Sequence, residues 1–394
     1  MAEMEVNATG LWYPVYDRHL AWVGVRLDTD AAALSPDFYA ETVAALQVIE
    51  GVGGKLLFVG ADVLAMGDDS SPLPFPPALL VVVLNETCQA GTELAEVCRA
   101  PGVQFAAMGL EAGTDKAPGR IDVRILDAAT ARDVLGEATV QNSSRSGTKL
   151  FAGAVDSLSL FEWCAAQGFD YFTFGRLAYR ESHSGVQDTS RLPLMRLLSL
   201  VTRDAETAEM EAVFKVEPKL AFDLLRLVNS ASLGMRTEIT SFAQAILVLG
   251  RRQLQRWLQL LLFAHRKDGK EGPNILMQRA AERGRMMELL AQEGNERTDR
   301  EMAFMVGVFS VLDVLMATPL AQLLQSISLP QPVEQALLNR EGRLGALLDL
   351  VCAAEESQFA EVRRLHAVLG IAPGAASRSQ LEAIGWSIKI AGAQ

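Results

Sequence analysis

The sequence contains one compact group of basic and aromatic residues, Arg251, Arg252, Arg256 and Trp257. Arginine and tryptophan are favoured anchors of protein interfaces, and a guanidinium group can also bind phosphate. The same residues are typical of a helix start whose arginine heads are only solvated. The group is therefore a candidate docking face for an acidic partner protein or a nucleotide, with a solvated helix start as the alternative.

Metal-dependent chemistry would require histidines, cysteines or carboxylates at ligand spacing. No histidine in the chain has a second histidine three or four positions away, and the four cysteines contain no CxxC pair. The histidines are His19, His183, His265 and His366. The sequence therefore predicts no bound metal and no cofactor, and the cysteines are interpreted as reduced core residues of a cytoplasmic protein.

Composition limits the classes of function that remain. The chain has 394 residues, 49% of them hydrophobic, which favours two domains with sizeable cores. Its net charge of −12 argues against general nucleic-acid binding, because phosphate neutralisation needs an excess of lysine and arginine. The acidic start, MAEMEVNATG, is not typical of a secretory signal, and no apolar run is long enough to span a membrane. We expect a cytoplasmic protein without membrane insertion.

The first half of the sequence alternates short apolar runs with helical patterns, which indicates a parallel sheet buried on both faces. The number of units favours a (β/α) barrel, shorter than the roughly 250 residues usual for that fold. The predicted strands are Leu20–Leu27, Lys55–Ala61, Pro77–Leu84, Val103–Leu110, Arg120–Leu126, Thr148–Val155 and Phe169–Gly175. The polar segment 182–190 is a predicted linker, and the sequence after it is helical throughout.

Three segments of the helical half, LLRLVNSAS, ITSFAQAILVLG and RRQLQRW, resemble the HDOD domain, a metal-free relative of the HD phosphohydrolases. The resemblance implies a module for signalling and protein interaction. Within it, four residues are expected to end or join helices, so their role is structural: Asn229, Ser230, Gly234 and Gly250.

The first half resembles an EAL domain, the barrel that hydrolyses cyclic di-GMP. The segments YPVYDRHLAWVGVRL, GGKLLFVGADVLA and QGFDYFTFG fit the framework of that family. The two resemblances together imply an α/β plus all-α protein. Residues 1–181 would form a trimmed, degenerate EAL-type barrel, residues 182–190 a linker, and residues 191–394 an all-α HDOD domain.

The resemblance also implies that the catalytic groups are lost. An EAL phosphodiesterase needs carboxylates that hold two divalent cations. The matching positions here carry Arg26, Gly60, Val82, Met108, Gly109, Arg124 and Gly153, and the strand ends are expected to offer almost no carboxylate. In the helical half, Ser310 and Val311 stand where an HD hydrolase has its metal-binding histidine and aspartate.

These patterns predict a protein that is not an enzyme and that works as a scaffold for other signalling proteins in a cyclic di-GMP-related pathway. A homodimer is compatible with the sequence. Two alternatives stay open: a sensor that binds cyclic di-GMP without hydrolysis, with Arg26 and Arg124 as phosphate contacts, and a metal-dependent phosphodiesterase with unconventional ligands.

Overall fold

The structure, a computed structural model, describes part of the chain. The described residues are 10–30, 54–64, 76–84, 101–109, 120–135, 147–175, 192–206, 209–210, 212–213, 250–252, 254–256, 258–262, 275–294, 298–316, 318–325 and 329–391. The predicted linker, 182–190, lies outside them, as do the HDOD-motif residues Asn229, Ser230 and Gly234.

Eight strands in the first half close into a barrel in sequence order. The sequence favours strands at these places because the runs are apolar and rich in β-branched residues, as in the LVVVL of β4. Their bounds are β1 Gly10–Tyr16, β2 Trp22–Thr29, β3 Leu56–Gly60, β4 Leu80–Leu84, β5 Gln104–Met108, β6 Val123–Asp127, β7 Lys149–Val155 and β8 Tyr171–Phe174.

The barrel has one feature that the sequence did not predict. Strand β1 pairs antiparallel with both β2 and β8, whereas β2 to β8 pair parallel to one another. The predicted parallel strands correspond to β2–β8, and β1 is the additional strand that closes the ring. Because β1 runs in the opposite direction, its first residues lie beside the carboxyl end of β2, where Leu11 pairs with Asp28.

The interior of the barrel is filled by side chains. Phe58 contacts Phe151 and Tyr171 edge-on, with ring centroids 5.1 and 5.7 Å apart. Such pairs stabilise a core beyond the burial of their area. The buried interior group comprises Val15, Phe58, Val81, Ala106, Val123, Ile125, Phe151 and Tyr171.

Short helical segments lie directly before or after several strands of the barrel. Asp127 and Ser157 begin two of them as N-caps, accepting hydrogen bonds from the backbone N–H of Thr130 and Leu160. The segments are α1 Ala61–Leu64, a 3₁₀ turn Pro77–Leu79, α2 Ala128–Thr130 with a π-helical turn Ala131–Leu135, and α3 Leu158–Ala166.

The described residues after position 190 are mostly helical and include no strand, as predicted. The helices are α4 Leu192–Thr202, α5 Ile275–Leu290, α6 Arg300–Phe309, α7 Leu312–Met316, α8 Leu320–Leu324, α9 Gln331–Asn339, α10 Gly342–Glu355, α11 Phe359–Leu369 and α12 Pro373–Ala391. Residues 250–252, 254–256 and 258–262 are also helical. The predicted fold class, a (β/α) barrel followed by an all-α region, is confirmed.

The chain forms two compact units. The barrel unit contains Met1–Leu177 together with Cys352–His366 and Ala372–Gly385. The helical unit contains Ala178–Val351, Ala367–Ile371 and Trp386–Gln394. Helices after residue 351 thus contribute to both units, and the predicted domain limits 1–181 and 191–394 stay a prediction. No helix among the described residues combines the length and apolar character needed to cross a bilayer.

Candidate functional site

A cavity of about 390 Å³ opens where the carboxyl ends of strands β2, β5, β6, β7 and β8 meet. In barrels of parallel strands this end carries the functional groups. The lining, which we call the barrel mouth, comprises Tyr13, Arg26, Asp28, Met108, Ile125, Leu126, Asp127, Gly153, Ala154, Asp156, Thr173, Phe174, Gly175, Glu355, Glu356 and Ser357. All of these residues belong to the barrel unit.

Arg26 places a guanidinium group in this cavity. Its Nε lies 2.7 Å from Asp28 Oδ1, two residues along β2 and on the same face of the strand. This contact is an ion pair rather than a hydrogen bond, since the N–H direction is unfavourable. The guanidinium carbon stands 5.7 Å from the centre of the Phe151 ring, and Nη1 would be 3.7 Å from a Cβ added to Gly153. A half-buried positive charge is thus held at the cavity wall.

Three aspartates also line the mouth: Asp28, Asp127 and Asp156. This corrects the expectation that the strand ends offer almost no carboxylate. Asp28 lies two residues beyond Arg26, and Asp127 three residues beyond Arg124, so the acids follow the matched positions instead of occupying them. Asp127 is partly committed, because its Oδ1 accepts a 2.8 Å hydrogen bond from the Thr130 N–H.

The other positions matched to the EAL family lie along the strands. Val82 is fully buried inside β4, and Met108 ends β5 with 42% of its surface exposed at the mouth. Arg124 is buried in β6, where Nη1 donates to the Gly109 carbonyl oxygen at 3.4 Å, and burial lowers its pKa. Gly60 is the last residue of β3, and a Cβ at this position would clash with Asp62 Oδ1.

The described residues do not offer a set of ligands for the two divalent cations of an EAL centre. Among them no three His, Cys, Asp or Glu side chains come together as a metal site. Asp28 is engaged by Arg26 and Asp127 by a backbone N–H, so neither is an uncommitted ligand. No metal-dependent step follows from this arrangement. Further acids after the strands in sequence, Asp68, Asp69, Glu86 and Glu111, lie outside the described residues.

Residues from far along the chain complete the barrel mouth. The hydroxyl of Tyr13 in β1 donates to the Ala354 carbonyl oxygen at 2.7 Å and lies 2.7 Å from Ser357 Oγ. These contacts bring Glu355, Glu356 and Ser357, which we call the C-terminal turn, to the cavity wall. Sequence analysis missed this part of the site, since no local pattern connects residue 13 with residue 357.

The positions matched to the HD metal pair lie in the helical unit. Ser310 and Val311 form the break between α6 and α7. Arg283 Nη1 on α5 donates to Ser310 Oγ at 2.9 Å, so a guanidinium contacts the residue that matches the metal-binding histidine. Val311 is fully buried.

The basic-aromatic group also lies in the helical unit, and its members have different surroundings. Arg251 donates to Asp204 Oδ1 at 2.7 Å and to the Ala205 carbonyl oxygen at 2.6 Å, whereas Arg252 is exposed. Arg256 is buried, 2.7 Å from Glu288 Oε1 and 4.1 Å from the centre of the Phe304 ring. Trp257 lies outside the described residues.

The surroundings of Arg256 exclude this residue from the predicted docking face. Burial opposes ionisation of Glu288, but Arg256 and Arg285 outweigh it and lower the pKa of that carboxyl group. The Arg256 charge therefore serves an internal ion pair and is not presented to a partner. A docking role stays a prediction for Arg252. Gly250, with φ of +74°, is exposed before these residues, and its role at a helix junction stays a prediction.

Comparison with known protein families supports the predicted HDOD domain in the helical half. Residues 193–338 match the family model of the HDOD domain. The predicted order, a barrel followed by an HDOD domain, is confirmed. The matched region runs from α4 to α9 and includes the Ser310–Val311 break.

One relative covers most of the chain. It is CdgJ of Vibrio cholerae, named a cyclic di-GMP phosphodiesterase, and it is 27% identical over 332 residues, which are 80% of this chain and 75% of the relative. Two solved structures are weakly similar. A putative phosphohydrolase of Shewanella amazonensis has a TM-score of 0.37 at 15% identity and covers 51% of this chain and 92% of its own. BlrP1 of Klebsiella pneumoniae, solved with calcium and cyclic di-GMP, scores 0.32 at 17% identity, covering 44% and 56%.

The CdgJ relationship contradicts the prediction that this chain is not an enzyme. That prediction rested on matched positions that lack acids, such as Met108 and Gly153. The structure shows why the inference was too strong: carboxylates at Asp28, Asp127 and Asp156 reach the same cavity from neighbouring positions. Replacement at the matched positions does not by itself exclude catalysis.

Proposed function

We propose that this chain acts in cyclic di-GMP signalling and that the barrel mouth binds the dinucleotide. The observation that carries the proposal is the Arg26 guanidinium held in a cavity at the carboxyl ends of the barrel strands. The sequence relationship to a protein named a cyclic di-GMP phosphodiesterase supports the choice of ligand.

At one point of the barrel mouth, the Arg26 guanidinium group can bind a phosphodiester oxygen. A guanidinium group forms strong, directed hydrogen bonds to phosphate. Asp28 occupies the Nε side of Arg26, while Nη1 lies at the cavity wall beside Gly153. Because glycine has no side chain, the ligand backbone can approach Arg26 closely there. Hydrolysis of the dinucleotide is proposed for the same cavity, because the relative is named for that reaction.

Calorimetric titration of the full chain with cyclic di-GMP tests the proposal. We expect saturable binding that Arg26→Gln weakens by about tenfold or more, since a hydrogen bond to a charged group is lost. Arg18→Gln is the matched control, because Arg18 is exposed and pairs with Asp170 at the opposite end of the barrel. Absence of binding to the unaltered chain, or equal effects of the two substitutions, contradicts the proposal.

The same samples test hydrolysis. Incubation with cyclic di-GMP, with and without added Mg²⁺ or Mn²⁺, should release the linear dinucleotide above a control without protein in at least one of these conditions, and chromatography measures it. A chain that binds the dinucleotide but leaves it intact would retain the binding part of the proposal and remove the catalytic part.

A second proposal concerns the helical unit, where the HDOD match favours binding of partner signalling proteins. Exposed Arg252, in a chain with a net charge of −12, is the residue that supports an acidic partner. Charge reversal by Arg252→Glu should reduce partner capture by the full chain while its melting temperature stays the same. Unchanged capture would remove Arg252 from the interface.

A further inference from the structure

The C-terminal turn, Glu355–Ser357, is a fixed part of the barrel mouth. Helix α10 ends at Glu355, and Ser357 adopts φ of +54°, which reverses the chain direction before α11. Tyr13 holds this turn through its hydroxyl contacts to Ala354 and Ser357, both at 2.7 Å. These hydrogen bonds to β1 therefore hold the C-terminal turn at the cavity.

Further contacts fix the following helices to the same side of the barrel. The backbone N–H of Trp12 donates to Gln380 Oε1 at 2.8 Å, and its indole N–H donates to Ser377 Oγ at 2.9 Å. Arg363 pairs with Asp30, just beyond β2. Strand β1 and the end of β2 both contact residues between 354 and 380. The cavity wall that the C-terminal turn forms therefore belongs to the barrel unit.

The charge of the turn indicates what it can contact in a bound dinucleotide. Glu355 and Glu356 add two carboxylates to a cavity that already contains Asp28, Asp127 and Asp156. A carboxylate accepts hydrogen bonds only and repels a phosphate. The strongest paired donors of cyclic di-GMP are N1–H and the N2 amino group on the Watson–Crick edge of guanine, which match the two oxygens of one carboxylate.

We infer that the C-terminal turn reads the base of the dinucleotide, with the Glu356 carboxylate accepting hydrogen bonds from guanine N1–H and N2–H. Glu356 is the exposed acid of the turn, whereas Glu355 is only 6% exposed. The Oε2 atom of Glu356 already accepts a hydrogen bond from Gln358 Nε2 at 2.5 Å, and guanine would use the second lone pair of that oxygen or displace the amide. Adenine carries an acceptor, N1, where guanine carries a donor, so a carboxylate at this place selects against it. The inference rests on the proposed function, and Glu356 would act as a specificity-determining residue of that same site.

Binding of two dinucleotides by the full chain tests the inference. Unaltered protein should bind cyclic di-GMP at least about tenfold more tightly than cyclic di-AMP, as expected for a paired hydrogen bond to a base edge. Glu356→Gln should weaken cyclic di-GMP binding by about the same factor and leave cyclic di-AMP binding unchanged. Glu334→Gln is the matched control, because Glu334 is an exposed glutamate in α9 of the helical unit.

The outcomes separate the inference from the proposed function. If the unaltered chain binds neither dinucleotide, the proposed function fails and the inference fails with it. If it binds cyclic di-GMP but Glu356→Gln leaves the preference between the two dinucleotides unchanged, the inference alone is overturned. Equal strengthening of both ligands by Glu356→Gln would also overturn it, because the carboxylate would then only repel phosphate.

Discussion

At the scale of single residues, two arginines four positions apart show that the sequence does not indicate whether a charged side chain is buried or exposed. Arg252 is exposed, and Arg256 is buried against Glu288 and the Phe304 ring. A buried charge that loses its partner is far more costly than an exposed one, because no water replaces the missing contact. The residue types identified the basic-aromatic group, but they did not indicate which arginine is buried.

Substitution by methionine separates these two arginines. Arg256→Met leaves the Glu288 carboxylate in a buried place without its closest cation, and we expect a loss of about 3 kcal/mol in the free energy of unfolding. Arg252→Met should change it by less than about 0.5 kcal/mol. Urea denaturation of the full chain measures both. Equal losses would show that Arg256 is not an internal ion-pair residue.

His366 gives a prediction for pH dependence. It is 3% exposed, neither ring nitrogen has a hydrogen-bond partner among the described residues, and burial lowers its pKa to about 4. An unfolded histidine titrates near 6.5. Between those values the unfolded chain binds a proton that the folded chain does not. The contribution of His366 to stability is therefore complete above about pH 6.5 and is lost as the pH falls towards 4.

Comparison with a histidine that faces solvent isolates this effect. His366→Asn should remove a pH-dependent loss of about 3 kcal/mol between pH 7 and pH 4, whereas exposed His19→Asn should keep the original profile. Chemical denaturation at a series of pH values measures it. An unchanged profile in His366→Asn would show that His366 does not titrate with folding.

At the scale of elements, β2 to β8 could be predicted because their apolar, β-branched runs stand between helical patterns. Strand β1 was missed as a separate strand, since Pro14 interrupts its pattern and prolines are depleted in strands. The apolar run 304–316 reads as one helix in the sequence, but the structure breaks it at Ser310. Asp299 begins α6 as its N-cap, since its Oδ1 accepts a hydrogen bond from the Met302 N–H at 2.9 Å.

Close packing of α5 against α6 depends on Gly307. A Cβ at this position would stand 2.6 Å from the backbone of Arg283, so the helices would have to move apart. We expect Gly307→Ala to cost about 1–3 kcal/mol, even though alanine favours helix. Gly54→Ala meets no atom within 4 Å and should change stability little. Thermal denaturation compares them. A stable Gly307→Ala variant would show that this helix pair can separate without cost.

At the scale of the whole molecule, each unit is built from distant parts of the sequence. Residues 352–366 and 372–385 belong with the barrel, although they follow the helical half in the chain. Sequence could not predict this, because an amphipathic helix shows which face it buries and not what covers it. The part of the barrel mouth formed by Glu355–Ser357 was hidden for the same reason, whereas Arg26 could be identified from the resemblance to the EAL family.

Hydrogen–deuterium exchange of the full chain, with and without cyclic di-GMP, tests most directly whether the barrel mouth binds the dinucleotide. Backbone amides at 26–28, 125–130, 153–158 and 354–358 should exchange more slowly with the ligand present, because these segments line the cavity or follow its strands. Cyclic di-AMP should protect the last segment less. Protection confined to residues 193–338, or absent at all four segments, would contradict a dinucleotide site at the barrel mouth.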